Sequence, residues 1–213
     1  MNSNIKNIAE QYGYTDNGVG FGAFRAQPLH YGHILTINNM LSACQISIIG
    51  LGSCQESGTL KNPFTPDVRK KMITNVFGNK VKFVQLVDIG AKFPKEWVDY
   101  CIGKIRSIGL PEPNMCFSGS IADEGWYTDH FFPANFPGTE KPTQIDSSGR
   151  KRIIFSSERH ETGIPSATEL RSLIIQRNDE WKRWVHESNH QLIEDQFPDH
   201  LRVPKSTTNL KGK

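Results

Sequence analysis

The sequence predicts an α/β fold, a doubly wound parallel sheet of about five strands with helices on both faces. Three observations point there. Strand-like and helix-like stretches alternate along the chain. Residues 45–51, QISIIGL, have a near-continuous apolar centre, as expected of a strand covered on both faces. Before the next strand-like run stands Thr65-Pro66-Asp67, an N-cap residue, a proline suited to the first helical position and an acid in the first turn.

Each element follows in order. Residues 1–17 are polar and read as an N-terminal extension, 18–200 as a single domain with C-terminal helices, and 201–213 as a flexible tail. Val19–Phe24 is the first strand. A helix opens near Tyr31 or Gly32 and runs to Ala43, with Ile34, Leu35, Ile37 and Leu41 as its apolar positions. Residues 45–51 form the second strand, ended by the Gly52-Ser53 turn, and the helix started by Thr65 runs through Val76. Residues 81–89 read as a third strand, 94–108 as a helix, 115–117 as a short fourth strand and 152–156 as a fifth. Residues 133–150, rich in Pro, Gly, Thr and Ser, read as a long surface loop. Ser166 starts a further helix, and 179–197 read as a longer one. This order is that of a Rossmann-like sheet, in which ligands sit beyond the carboxyl ends of the strands.

Composition narrows the class. With 213 residues, 37% hydrophobic and 22% charged, the chain can bury a substantial core. A net charge of +3 is too small to argue for nucleic acid or a membrane as partner. No apolar run approaches the roughly 20 residues that a bilayer span needs. The four cysteines show no CxxC pair and no signal-peptide pattern precedes them, so reduced thiols in the cytoplasm are expected.

The chemistry concentrates in Arg25-Ala26-Gln27-Pro28-Leu29-His30-Tyr31-Gly32-His33, where the first strand runs into the first helix of the domain. A helix start offers unpaired N–H groups and the positive end of the helix dipole, and so favours anions. Gly32 lets a phosphate approach the backbone closely. His30 and His33, three apart on the first turn, lie on one side and can both donate to phosphate oxygens. Arg25 adds a planar fork for the same anion. One histidine capping the helix and the other decorating the surface would be the bland account, but four residue types converging at one junction favour phosphate handling.

His30-x-Gly-His33 resembles the signature of the HxGH nucleotidylyltransferase superfamily, and Ser166-Ala167-Thr168-Glu169-Leu170-Arg171 resembles its second motif. More specific is the stretch from Ile48 to Thr65, IIGLGSCQESGTLKNPFT, with Arg69 and Met72. It is similar to a stretch of the archaeal-type nicotinamide mononucleotide (NMN) adenylyltransferases, which also occur fused to Nudix domains. No Nudix box with its glutamate cluster is present.

That resemblance implies a reaction in which NMN and ATP give NAD and pyrophosphate. It depends on placement and charge neutralisation more than on proton transfer. His30, His33 and Arg171 would be the catalytic residues, with Arg171 on the β/γ-phosphates. Arg25, Lys61, Ser166, Thr168 and Ser120 would bind ATP and its phosphates, while Trp97, Ser53 and Ile89 would face NMN, Trp97 by stacking on the pyridine ring. Mg²⁺ would be held mainly by the ATP phosphates, with no dedicated protein metal ligands. NMN or nicotinic acid mononucleotide both remain open as acceptor, and so does a homo-oligomeric state. Two departures stand out: the spacing before Trp97 is longer than in the family, with Pro94 near its usual Asn, and Phe117-Ser118-Gly119-Ser120 replaces its Ser-Gly-Asn. Capping alone would also account for Ser166 with Glu169, and core packing for Trp97.

Two decoys and two rival functions need weighing. His186-Glu187-Ser188-Asn189-His190 matches the zinc-binding HExxH pattern, but nothing else assembles about it and a coincidental match is expected. Gly18-x-Gly20-x-Gly22 leads into a strand, so close packing explains it better than a dinucleotide fingerprint. A transferase for another phosphate, such as phosphopantetheine or glycerol phosphate, is disfavoured by Lys61-Asn-Pro-Phe-Thr65. A non-catalytic nucleotide sensor is disfavoured by the intact histidines and Arg171.

Overall fold

The computed structural model describes residues 2–15, 17–134, 142–156 and 163–204. The strands are β1 (Val19–Phe24), β2 (Ile46–Leu51), β3 (Lys82–Gln85), β4 (Met115–Ser118), β5 (Phe132–Pro133) and β6 (Ile153–Ser156). They form one sheet in the order β3-β2-β1-β4-β6-β5, and every pair runs parallel. The chain thus winds outward from β1 to β3 and returns to β4 on its other side. The carboxyl ends of β1 and β4 flank the switch point, where such sheets open a crevice. The sheet has one strand more than the sequence marks, the two-residue edge β5.

The helices are α1 (Asn2–Gln11), α2 (Tyr31–Ala43), α3 (Pro66–Phe77), α4 (Pro94–Ser107), α5 (Ile121–Glu124), α6 (Ala167–Ile175) and α7 (His190–Gln196). None among the described residues is long and apolar enough to cross a membrane. Strand side chains alternate between two cores. Ile49, Leu51, Met115, Phe117, Ile153 and Phe155 face the side covered by α1, α2, α3, α6 and α7. Phe21, Ile48, Cys116 and Ile154 face α4 and the Tyr127–Phe131 segment. Burial of each such Ile or Phe contributes about 1.5–3 kcal/mol.

The three glycines of β1 and its approach lie under α2. A Cβ on Gly18 would stand 2.9 Å from the Ala43 carbonyl oxygen, and one on Gly20 would stand 2.6 Å from the Cys44 sulfur. Close helix-on-strand packing accounts for them, as expected. The N-cap of α3 is Thr65, whose hydroxyl accepts from the Val68 N–H at 3.3 Å, with Pro66 and Asp67 in the first turn.

Three readings of the sequence are corrected. The third strand does not run over 81–89, because its neighbour β2 stops at Leu51, which pairs with Gln85. Beyond Leu86 the backbone takes side-chain partners instead: Val87 N–H donates to the Tyr100 hydroxyl and Asp88 N–H to Gln55. Residues 179–197 are not one helix but two 3₁₀ turns, Asp179–Trp184 and Glu187–Asn189, followed by α7. The break is at extended Val185, where the His190 Nε2 atom lies 3.1 Å from the Lys182 carbonyl oxygen and 3.0 Å from that of Val185. The polar lead holds helix α1, which sets Ile5, Ile8 and Ala9 against the core beside α2. Of the expected surface loop, residues 142–150 hold a 3₁₀ turn and a bridge from Ile145 to Lys151. Residues 135–141 of that loop and 205–213 of the tail lie outside the described residues.

Candidate active site

A cavity of about 450 Å³ opens at the carboxyl ends of the strands and is lined from the turn after β1, the start of α2, the turn after β2, the loop after β3, α4 and the start of α6. His30 is the N-cap of α2. Its Nδ1 accepts from the Gly32 N–H at 3.1 Å, while the His33 Nδ1 accepts from the His30 N–H at 3.4 Å, a capping box built from two imidazoles. An Nδ1 that accepts carries no proton, so this network assigns both protons to Nε2 and makes the neutral rings donors there. The two rings lie 3.9 Å apart, and His33 stacks on Phe24 at 4.8 Å. A Cβ on Gly32 would come within 2.8 Å of the His30 ring, so glycine here makes room for histidine.

Arg171, on α6, is 8% exposed. It donates from one amino group to the Gln27 carbonyl oxygen and from the other to the Thr168 hydroxyl, both at 2.9 Å. No carboxylate among the described residues pairs with it. Burial, and then the field of Arg25, pulls it below its ordinary pKa, yet a guanidinium stays charged near neutrality. A fixed cation without a counterion is what an anionic ligand completes. Ser166 caps α6 in a box with Glu169, its hydroxyl accepting from the Glu169 N–H at 3.2 Å while the Glu169 carboxylate accepts from the Ser166 N–H at 2.7 Å. It also lines the cavity.

Around these stand the supports. Arg69 is fully buried and donates to the carbonyls of Arg25 at 2.8 Å and Gly52 at 2.7 Å, tying the ends of β1 and β2 together. Gln27, 1% exposed, pairs with the Phe64 backbone through both ends of its amide, at 3.0 and 2.9 Å. Exposed Lys61 lies on the cavity wall, in a loop held by Glu56 bonds from Thr59 at 2.8 Å and Asn62 at 2.7 Å. Those bonds hold the Glu56 carboxyl below its usual range. Ala26 and Ser53, each just past a strand, have φ of 50° and 52°, the left-handed region that costs a residue with a Cβ about 1–3 kcal/mol.

On the far side of β2, the Ser53 hydroxyl donates to both Asp88 carboxylate oxygens, at 2.9 and 3.1 Å, and the Gln55 amide donates to one at 2.8 Å. Trp97 lines the cavity, its ring 5.9 Å from Tyr100, and packs against the core cluster that includes buried Tyr127. The structure therefore brings Arg25, His30, His33, Ser53, Lys61, Trp97, Ser166, Thr168 and Arg171 around one cavity. Ser120 and Ile89 are not on its wall. Ser120 spends its hydroxyl capping α5, accepting from the Ala122 N–H at 3.2 Å, and Gly119 and Asp123 reach the cavity instead. Ile89 stands outward beside Asp88, 41% exposed. Sequence reasoning assigned no role to Gln27, Thr36, Asp88, Asp123 or Ile164. Gln27 sits inside the quoted motif after the first strand, whereas nothing local marks Asp88 or Asp123.

The HExxH match does not form the single helix face that its zinc-binding pattern requires. His186 precedes a 3₁₀ turn and His190 begins α7, so they do not share a helix face, and the His190 Nε2 is engaged with backbone carbonyl oxygens. Among the described residues no group of three His, Cys, Asp or Glu could hold a metal ion.

The Cytidylyltransferase-like family profile matches residues 22–102. The nicotinamide-nucleotide adenylyltransferase of Thermococcus onnurineus is 49% identical over 193 residues, 88% of each chain. That of Thermococcus kodakarensis is 32% identical over 189 residues, again 88% of each. The nicotinamide/nicotinic acid mononucleotide adenylyltransferase of Acinetobacter baylyi is 31% identical over 113 residues, 51% of this chain and 59% of that one. A bifunctional NMN adenylyltransferase/ADP ribose pyrophosphatase of Francisella tularensis, solved with AMP and a manganese ion, shares the fold with a TM-score of 0.52 at 19% identity. The match covers 73% of this chain and 41% of that one.

Proposed function

The chain belongs to the nicotinamide-nucleotide adenylyltransferase family, nucleotidyltransferases that form NAD and pyrophosphate from NMN and ATP, and we propose that the cavity described above carries that reaction. The observation that bears most weight is Arg171, a buried guanidinium fixed by Gln27 and Thr168 beside two imidazoles at a helix start.

In this reading the 5′-phosphate oxygen of NMN attacks the α-phosphorus of ATP. One P–O bond forms, the bond to the β-phosphate bridge breaks, and pyrophosphate leaves. His30 and His33 donate from Nε2 to the phosphates where charge accumulates, and Arg171 holds the β/γ-phosphates. Arg25, Lys61 and the N–H groups opening α2 and α6 complete the anion site. Trp97 supplies a face for the pyridinium ring, and Ser53 holds Asp88 beside it.

A divalent cation fits this cavity as a guest of the substrate. The wall offers Asp88 and Asp123 but, among the described residues, no three-ligand cage, so Mg²⁺ would be held chiefly by phosphates and water. When bound it neutralises phosphate charge. A cytoplasmic setting suits the four free cysteines.

The test is incubation with ATP, Mg²⁺ and, in turn, NMN, nicotinic acid mononucleotide and phosphopantetheine, following pyrophosphate and the adenylylated product. NAD is the expected product with NMN, and product from phosphopantetheine alone would overturn the reading. His33→Ala should slow turnover by about 10²–10³ with the fold intact, the usual scale for losing one donor to developing charge; unchanged turnover would take His33 out of the mechanism.

A further inference from the structure

Building on transfer to a pyridine mononucleotide, we infer that Asp88 decides which pyridine is accepted, favouring the carboxamide of NMN over the carboxylate of nicotinic acid mononucleotide. The cavity wall is divided by charge. Arg25 follows β1, Lys61 follows β2, and Arg171 lies on the helix after β6. Asp88 follows β3, the strand on the outer side of β2, and the same connection leads to Trp97 on α4. Both acceptors present the same phosphate to the cationic end, so they differ only at the ring end, where Asp88 and Trp97 stand.

The Asp88 side chain is fixed there by its neighbours. Its carboxylate has no cationic partner among the described residues, and the Ser53 hydroxyl and the Gln55 amide, both neutral, hold it. Its own N–H donates to the Gln55 side-chain oxygen at 3.1 Å, so backbone and side chain are fixed by one neighbour. A nicotinic acid ring brings a second carboxylate to this fixed one, whereas a carboxamide brings N–H donors. Specificity by an unfavourable like-charge meeting is a common device, and at a few ångströms near a surface it amounts to on the order of 10- to 100-fold.

Wild type, Asp88→Asn and, as a control, Asp123→Asn are compared by kcat/KM for both acceptors at saturating ATP and Mg²⁺, at low salt and in about 0.5 M KCl. Asparagine retains hydrogen-bonding capacity towards Ser53 and Gln55 without the charge. Wild type is expected to prefer NMN by at least about tenfold. Asp88→Asn brings the ratio of the two kcat/KM values close to one, Asp123→Asn leaves it in place, and salt shrinks the ratio of wild type and of Asp123→Asn but not that of Asp88→Asn. A wild-type ratio near one overturns the inference, as does a ratio that Asp88→Asn does not change or that Asp123→Asn changes equally. Product from both acceptors with an unaltered ratio removes only the role of Asp88. No product from either removes the underlying reaction as well.

Discussion

The Arg171 guanidinium donates to the carbonyl oxygen of Gln27 at 2.9 Å, fastening helix α6 to the turn that follows the first strand. The two motifs of the proposed phosphate site, far apart in the chain, are thereby fastened together. Thr168 takes the other end of the fork.

Replacing Arg171 by Lys keeps a charge but loses the planar fork, so one of the two bonds must be given up. We expect kcat/KM for ATP to fall about 30- to 100-fold while the melting temperature moves only slightly, because a buried cation without a counterion stabilises little. Pyrophosphate release and a thermal melt check both parts. Wild-type kinetics in the variant would show that Arg171 has no role at the phosphates.

Trp97→Ala should raise the KM for NMN about tenfold with little change for ATP, since in the proposed reaction the ring faces only the acceptor. Equal effects on both substrates would count against stacking.

Gln27→Leu fills the same space but strands the N–H and the carbonyl of Phe64. Leaving two buried backbone groups unpaired costs about 2–4 kcal/mol, visible as a lower urea midpoint with an unchanged slope. A midpoint equal to wild type would mean that another group replaces the amide.

Burial pushes the Cys44 thiol up to about 12 from 9.0, and the Cys101 and Cys116 thiols are raised by the same cause. Above about pH 9 the unfolded chain loses thiol protons that the folded chain keeps, so stability is full below that pH and declines as pH rises towards 12. Native protein at pH 8 should react with a thiol reagent at Cys54 and much more slowly at the others; rapid labelling of all four would contradict this packing.

What the sequence disclosed was what short-range rules encode. Val19–Phe24, the start of α3 at Thr65 and the Ser166 cap of α6 are set by alternation and by caps that act over three or four residues. The histidines and Arg171 were readable as types, and their meeting follows from the parallel sheet. The end of β3 was not readable, because it depends on where its neighbour stops. Nor was the break at Val185, which rests on a ring five residues away taking the helix carbonyl. Asp123 is an exposed acid like many others, and only the fold turns it towards the cavity. Ser120 is a plausible ligand by type that the cap of α5 has claimed.

The imidazole pair at the start of α2 gives the protein an acid boundary of an unusual kind. An imidazolium has no lone pair left at Nδ1, so a proton taken up by either ring deletes an acceptor that closes the helix. The two rings that the proposed reaction places at the phosphates thus also close the first turn of α2, so a substitution at either bears on the order of that turn as well as on the site.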